Sequence, residues 1–295
     1  FEKWIRWSRE KGIDLDFNGS FFSHPMADSG YTLASADPKV RNFWLDHAKA
    51  TRKIASAMGS SQGNPCVNNI WVPDGSKDIP ADRESPRKRL MDALDEILSK
   101  KMPEGSISDA VECKLFGIGS EAYVVGSHEF YMGYTTSRNM KLCLDMGHFH
   151  PTETIHDKIS SLLLYVPSLL LHVSRGVRWD SDHVALFSDD VREVFHEVAR
   201  NNYYQKVSIA LDFFDASINR IAAWAIGTRA ARKAILESVL EPVQLIREAE
   251  KSGRLHERLA LMEEAKTLPF SAVWDKLCLD AGVPVGIDWL SKVSD

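Results

Sequence analysis

The 295-residue chain is 44% hydrophobic and 26% charged and has a formal net charge of −5, which is typical of a globular protein with enough apolar residues for one large core. Its mild acidity argues against a nucleic-acid partner, because phosphate binding needs a basic face that the sequence does not show. No run of residues approaches the roughly eighteen apolar positions of a membrane span and no signal peptide is visible, so we expect no membrane partner and a cytoplasmic location.

The first half of the chain alternates between helical and extended patterns. A helix-like segment ends at Gly12, Asp37 with Pro38 can cap a second helix, and Ser85 with Pro86 can open a third. The expected elements are, in order, a helix at 1–11, a strand at 13–17, a helix at 39–58, a strand at 65–73, a helix at 86–101 and a strand at 110–116.

The second half continues the alternation and then becomes helical. Ser188 stands where it can cap the last helix before the final strand. The expected elements are a helix at 129–138, a strand at 140–145, a helix at 155–166, a strand at 169–174, a helix at 189–200, a strand at 207–213 and nearly continuous helix from 218 to 267.

A strand followed by a helix, repeated six times, predicts parallel βα units and an α/β barrel of the TIM type, (β/α)8. A closed barrel needs eight units, so two are absent, and because the chain starts within a helix we expect them before Phe1. We therefore divide the chain into an incomplete barrel domain at 1–217 and a C-terminal helical extension at 218–295 that serves packing and oligomerisation.

Residue types that bind metals recur at the ends of the predicted strands, which is where barrels of this type assemble their active sites. Glu112, Asp145, His172 and Asp212 each lie on or after a different strand, so their side chains can converge on one point. Three carboxylates and one imidazole suit Mn²⁺, Mg²⁺ or Co²⁺. The sequence therefore predicts a divalent metal site above the barrel.

A second group with the same chemistry consists of His148, Asp180 and Asp182. These residues follow two of the same strands, so two adjacent divalent ions are possible, with Asp145 as a candidate bridge between them.

Each of these residues also has an ordinary structural explanation. An Asp at a strand end is most often a helix cap or a turn residue, and His172 can be a hydrogen-bonded core histidine. Glu112 and Lys114 lie two apart on their predicted strand, face the same side and can be a simple surface pair. Trp71 and Phe149 can pack in the core or face a sugar. Taken together, however, so many acidic groups and imidazoles buried without a cation would be very costly, which favours a metal.

The cysteines show no CxxC spacing, and three of them lie in predicted strands. We expect reduced thiols in the core of a cytoplasmic protein. The four positions are Cys66, Cys113, Cys143 and Cys278.

Several long motifs resemble a known family, bacterial L-rhamnose isomerase of the type found in enteric bacteria and bacilli. The resemblance covers essentially the whole chain. The matching segments are Phe22-Ser-His-Pro25, Asn69-Ile-Trp-Val-Pro-Asp-Gly75, Lys114-Leu-Phe-Gly-Ile-Gly119, Glu129-Phe-Tyr-Met-Gly-Tyr134, Gly147-His-Phe-His-Pro-Thr-Glu153, Leu171-His-Val-Ser-Arg175, Arg178-Trp-Asp-Ser-Asp-His183 and Leu211-Asp-Phe-Phe-Asp-Ala-Ser-Ile-Asn-Arg220.

The resemblance implies two divalent ions per subunit, Mn²⁺ with Mg²⁺, Co²⁺ or Zn²⁺ as possible replacements, in a homotetramer built by the helical tail. It places ligands at matching positions of this sequence. The resemblance implies that one ion is bound by Glu112, Asp145, His172 and Asp212, and the second by His148, Asp180 and Asp182.

The implied reaction is the interconversion of L-rhamnose and L-rhamnulose on the open-chain sugar, by a metal-assisted hydride shift between C1 and C2 or through an enediol. Lys114 would contact the substrate and stabilise negative charge on a sugar oxygen. Asp180 would move the hydroxyl proton, His148 would complete the catalytic group, and Trp71 would line the sugar pocket.

The chain also departs from the family pattern. Asn18-Gly-Ser20 stands where family members commonly have Asn-Pro-Thr, and the first two strands, which supply a histidine and an aromatic wall to the sugar pocket, are not in this sequence. A metal-dependent barrel hydrolase, which needs a basic groove, and an inactive fragment of the isomerase remain as alternatives.

Overall fold

The computed structural model of the chain describes residues 1–117, 119–176, 183–214 and 217–293. Its centre is a sheet of six parallel strands in the order β1-β2-β4-β6-β7-β8, and a two-stranded antiparallel ribbon of β3 and β5 lies apart from it. The strands are β1 (Phe17–Gly19), β2 (Cys66–Ile70), β3 (Gly75–Ser76), β4 (Ile107–Glu112), β5 (Tyr123–Val124), β6 (Lys141–Asp145), β7 (Leu169–Val173) and β8 (Val207–Leu211).

Ten α-helices accompany these strands in the described chain, with 3-10 turns at Pro25–Ala27 and Asp288–Lys292. The helices are α1 (Glu2–Lys11), α2 (Pro38–Gln62), α3 (Glu84–Ser99), α4 (His128–Arg138), α5 (Ile155–Leu162), α6 (Asp189–Arg200), α7 (Arg220–Leu240), α8 (Val243–Lys251), α9 (Leu255–Ala265) and α10 (Phe270–Asp280). None of the described helices is both long and apolar enough to cross a membrane.

The strands of the large sheet stand in chain order, and one of the helices α2 to α6 lies between each strand and the next. This is the connectivity of a (β/α) barrel, and it confirms the predicted fold class. The sheet has six strands where a closed barrel has eight, and β1 and β8 are its two edges.

Alternate residues of the strands face two different layers. Leu142 and Leu144 of β6 belong to the large apolar core that also contains residues of the helices. Cys143, between them, packs with Val67, Ala110 and Leu170 of the neighbouring strands. The second layer is therefore the inner face of the curved sheet, and Asp145, two residues after Cys143, lies on that face at its carboxyl end.

The approach of α2 to the sheet depends on Gly59. A Cβ at this position would collide with the backbone of Ser106 and Cys66, at the starts of β4 and β2. Any larger residue would push the helix away from the strands.

Several predicted boundaries are wrong, among them the strand expected at 65–73, which ends at Ile70, and the helix expected at 155–166, which ends at Leu162. Residues 13–16 lie outside the sheet, and β1 is Phe17–Gly19. The apolar alternation instead reflects Leu15 and Phe17 packing against the cluster that includes Met58. The third predicted strand starts earlier and ends at Glu112, so Lys114 lies beyond it, where its backbone N–H donates to the Gly126 carbonyl.

The last predicted strand ends at Leu211 rather than at 213, which puts Asp212 just after it. The ribbon of β3 and β5 and the helix α10 were not predicted. The helical segment after 218 begins with α7, which packs on α6. Arg200 holds the two together with a bidentate contact to Glu241 at 2.6 and 2.8 Å, and Arg192 makes a second bidentate contact, to Glu237.

Candidate metal centre

Four acidic or imidazole side chains meet at the carboxyl ends of the strands. Glu112 ends β4, Asp145 ends β6 beside His172 of β7 in the strand register, and Asp212 follows β8. One ligand atom from each of the four lies within 4.8 Å of those of the other three. Glu112, Asp145 and His172 are buried, while Asp212 is partly exposed. The structure thus brings together the four residues of the first predicted group.

The imidazole of His172 is the centre of this cluster. Its Nδ1 atom lies 3.2 Å from a Glu112 oxygen, 3.1 Å from an Asp212 oxygen and 3.5 Å from an Asp145 oxygen. None of these contacts has the geometry of a hydrogen bond, although the atom is buried. Three carboxylates therefore converge on a nitrogen that can be a metal ligand.

The clustered carboxylates need a positive charge beside them to be stable while buried. Burial disfavours a charged imidazole, but Cys143, Glu112 and the other surrounding carboxylates outweigh burial and raise the pKa of His172 well above its ordinary value. Burial likewise disfavours a charged Glu112, yet the imidazoles of His172 and His148 hold the pKa of Glu112 below its usual range. A proton on His172 is one way to neutralise these carboxylates, and a divalent ion is the other.

Neighbouring polar groups fix the orientation of the carboxylates. The Asn69 amide, buried on β2, donates to a Glu112 oxygen and, at 3.3 Å, to Asn18 of β1. Asp145 accepts from the backbone N–H of Gly147 at 2.7 Å and from the Ser174 hydroxyl at 3.3 Å. Such contacts orient metal ligands before the ion arrives.

Of the second predicted group, the described part of the chain contains His148. This buried imidazole lies 3.0 Å from the Glu112 oxygen that faces away from His172. Glu112 therefore stands between the two imidazoles. Asp180 and Asp182 lie outside the described residues.

A cavity of about 560 Å³ opens above the cluster. Its lining includes Phe22, Trp71 and Phe214, and the ring of Trp71 packs edge-on against Phe22 and roughly parallel to His148. The lining residues are Asn18, Gly19, Ser20, Phe22, Trp71, Glu112, Lys114, His148, Asp212 and Phe214. Trp71 faces this cavity, whereas Phe149 is buried in the core against His128.

The Lys114 ammonium reaches the same cavity from beyond β4. It lies 5.7 Å from the centre of the Trp71 ring and donates to the Pro73 carbonyl at 3.3 Å. The aromatic face and the carbonyl restrain the position of this cation.

The loop that carries Pro73 is anchored by a buried carboxylate, Asp74. It accepts from the N–H and the hydroxyl of Thr32 at 2.8 and 2.5 Å and from the N–H of Ala34 at 2.7 Å. Burial raises the pKa of Asp74 to about 6 against the effect of these hydrogen bonds. Asp74 thereby fixes the wall on which Lys114 rests.

Three residues of this region were not predicted to act in the site: Asn69, Asp74 and Cys143. Asn69 sits within an otherwise apolar predicted strand, and an amide in such a position is a signal that could have been followed. Cys143 was interpreted as a core thiol, yet its sulfur lies within 4.8 Å of ligand atoms of Glu112 and His172.

The donor set fits a divalent ion. Three carboxylates and one imidazole around a buried point, oriented by neutral hydrogen-bond donors, form the oxygen-rich site of Mn²⁺ or Mg²⁺ with one nitrogen ligand. We therefore identify the cluster as a candidate buried metal site.

Solved structures share the fold of the chain. A D-tagatose 3-epimerase-like protein aligns with a TM-score of 0.52 at 15% identity, covering 82% of this chain and 83% of that one. An L-ribulose 3-epimerase aligns with a TM-score of 0.52 at 14% identity, covering 85% and 91%. At such identities the likeness concerns the fold alone.

Sequence comparison is more specific. The profile of the family described as L-rhamnose isomerase (RhaA) matches residues 1–295. An L-rhamnose isomerase of Rhodopirellula baltica is 62% identical over 293 residues, which are 99% of this chain and 69% of that protein. An L-rhamnose isomerase of Citrobacter koseri is 56% identical over 293 residues, covering 99% and 70%. The chain belongs to the L-rhamnose isomerase family, a family of aldose–ketose isomerases.

Proposed function

We propose that this chain carries the metal centre that interconverts L-rhamnose and L-rhamnulose. The observation that supports this most directly is the convergence of three carboxylates on His172, at the carboxyl ends of the strands and below a cavity of about 560 Å³. Family membership gives the substrate class, and the cluster gives the chemistry.

We assign one ion to Glu112, Asp145, His172 and Asp212, and a second to His148, Asp180 and Asp182. Mn²⁺ is the proposed ion at both sites, with Mg²⁺, Co²⁺ or Zn²⁺ as substitutes. A bound divalent ion supplies Lewis acidity, which polarises the sugar carbonyl and orients the sugar oxygens.

The side chains around the cavity have separate roles in this proposal. Trp71 forms a wall for the apolar face of the sugar, and the Lys114 ammonium stabilises negative charge that develops on a sugar oxygen. Asp180 moves the hydroxyl proton, and His148 completes the catalytic group. Hydrogen moves between C1 and C2 of the open-chain sugar as a hydride.

Ketose formation from L-rhamnose by the purified 295-residue chain tests the function. We expect formation with Mn²⁺ that a chelator abolishes. Mn²⁺ binding without ketose formation would instead support an inactive fragment, and failure to bind Mn²⁺ would contradict the metal centre itself.

Deuterium at C2 of the substrate tests the hydride shift. Retention of the label at C1 of the product is expected, because a hydride transferred directly does not exchange with water. Loss of the label to solvent would favour the enediol route.

Lys114→Met tests the role of the ammonium. Turnover should fall by roughly 100- to 1,000-fold, the range for losing one group that stabilises developing charge, while Mn²⁺ still binds. Unchanged turnover would exclude the assigned role.

We further propose that the barrel segment at 1–217 and the helical extension at 218–295 form a homotetramer through the extension. Exposed apolar side chains on the extension, among them Trp224, Leu279 and Ile287, support this. Light scattering of the purified protein tests it. A cytoplasmic location is supported by the four cysteines, which are all free and buried.

A further inference from the structure

Cys143 lies beneath the metal centre and has no role in the proposed isomerisation. Its sulfur, a Glu112 oxygen and a His172 ring nitrogen all lie within 4.8 Å of one another. All three residues are buried, and the cysteine side chain is fully so. These three donors form a second possible ligand set that shares two members with the first.

Strand geometry puts the sulfur on the side of the centre away from the cavity. Cys143 pairs with Glu112 in the register of β4 and β6 and precedes Asp145 by two residues. Two residues of a strand span about 7 Å, so the sulfur lies one layer deeper than the Asp145 carboxylate. That layer is otherwise apolar, with Val67 and Leu170 beside the sulfur.

The separation of the donors is compatible with one tetrahedral ion. Zinc–sulfur and zinc–nitrogen bonds of about 2.3 and 2.0 Å place tetrahedral ligands roughly 3.3–3.8 Å apart. Donor atoms that already lie within 4.8 Å of one another need only a small inward shift to reach this spacing.

The two ligand sets differ in the ions that they prefer. Carboxylates with one imidazole suit Mn²⁺ and Mg²⁺ and also accept Zn²⁺, whereas a sulfur ligand favours softer ions such as Cd²⁺. Two other buried cysteines cannot supply a sulfur ligand to this centre, because Cys113 packs in the outer core and Cys66 lies at the opposite end of its strand.

We propose that Glu112, Cys143 and His172 form a sulfur-containing site for thiophilic divalent ions. This site competes for the ion with the proposed site of Glu112, Asp145, His172 and Asp212. The proposal rests on the metal centre of the proposed function, since Glu112 and His172 belong to both sets. An ion bound to sulfur lies deeper, away from Asp212 and the sugar cavity. A strongly thiophilic ion such as Cd²⁺ therefore inhibits the isomerase by holding the shared ligands.

In the binding step, a bond from sulfur to the ion replaces the S–H bond and the proton leaves to the buffer, with no change of oxidation state. Cd²⁺ is the probe, because a cadmium–thiolate bond gives a charge-transfer absorption in the ultraviolet. Mn²⁺ binding, followed by the loss of the electron paramagnetic resonance signal of the free ion, is measured in parallel on each metal-free protein.

The variants are Cys143→Ala, Cys143→Ser, which keeps the side-chain volume, and Cys66→Ala as an equally buried control. We expect one charge-transfer site per chain in the parent and in Cys66→Ala, and none in either Cys143 variant. The Cd²⁺ affinity of the Cys143 variants should fall by roughly 10- to 100-fold, while their Mn²⁺ affinity falls by less than about threefold.

The remaining outcomes separate the two proposals. Absence of the band in the parent, or its persistence in the Cys143 variants, together with normal Mn²⁺ binding, would overturn the sulfur site and leave the metal centre standing. Failure of the parent to bind either ion would overturn both.

Discussion

Asp109 and Glu112 are carboxylates of the same strand, β4, three residues apart, and they are neutralised in different ways. Asp109 receives the Arg52 guanidinium of α2 through contacts of 3.0–3.1 Å and the Asn68 amide at 2.9 Å. Glu112, on the other face, receives the Asn69 amide and two imidazoles whose charge depends on protonation.

The difference separates a structural carboxylate from one that belongs to the candidate metal centre. Arg52 is permanently charged and also donates to the carbonyls of Ile97 and Lys100 at 2.6 and 2.9 Å, so the Asp109 network is complete without a ligand. The Glu112 network lacks a permanent cation among the described residues. Glu112, at the carboxyl end of β4, therefore still needs a positive partner, whereas Asp109, nearer the start of the strand, is already paired with Arg52.

Glu112→Gln should have the largest effect, and this effect should fall mainly on metal binding and activity. Losing the charged ligand should weaken Mn²⁺ binding by more than about 100-fold, beyond the usual effect of a supporting contact, and abolish ketose formation. The free energy of unfolding without metal should fall by less than in Asp109→Asn, because the imidazoles beside Glu112 can lose their protons when the carboxylate is removed, whereas Arg52 stays charged. Isothermal titration with Mn²⁺ and urea unfolding measure the two quantities.

Asp109→Asn should show the reverse pattern. It leaves the Arg52 guanidinium buried beside a neutral amide, so the free energy of unfolding should fall by about 3–5 kcal/mol. Mn²⁺ affinity of the folded protein should stay within roughly twofold, as expected for separate networks. A large loss of Mn²⁺ affinity would show that the two carboxylates are coupled.

The neighbouring amides give a matched pair of smaller changes. Asn69→Ala removes the donor to Glu112 and should weaken Mn²⁺ binding by roughly 10- to 100-fold. Asn68→Ala removes the donor to Asp109 and should instead lower the free energy of unfolding by about 1–2 kcal/mol. Equal effects of the two variants on Mn²⁺ binding would contradict the separation.

A third carboxylate, Glu241, extends the comparison to pH. Burial opposes its charge, but the Arg200 guanidinium and the His196 imidazole outweigh burial and lower the pKa of Glu241 from 4.5 to about 2. Because the folded-state pKa lies below the unfolded one, this contact stabilises the fold fully above about pH 5, and the contribution is lost as pH falls toward 2.

Glu241→Gln should therefore lower the free energy of unfolding by about 1–3 kcal/mol at pH 7 and by less at pH 3. Denaturant unfolding at both pH values measures this difference. Glu193→Gln, which removes a more exposed partner of Arg200 at 3.4 Å, should change stability by less than about 1 kcal/mol. A pH-independent loss in Glu241→Gln would exclude the ionic origin of the effect.

The sequence pattern could predict the alternation of strands and helices and the four residues at the strand ends, because both follow from local periodicity and residue type. It could not predict that Cys143 lies beside Glu112, since that depends on the register between β4 and β6. The contact between Asn69 and Glu112 could not be predicted for the same reason, because it depends on the register between β2 and β4. The ribbon of β3 and β5 could not be predicted, because each of its strands has only two residues.

Asp212 is partly exposed after β8, whereas Glu112, Asp145 and His172 are buried on β4, β6 and β7. An ion held by these four residues, as proposed, would meet water first on the Asp212 side. Exchange of the ion with solution would then begin with displacement of this carboxylate by water and would not require the buried strands to separate.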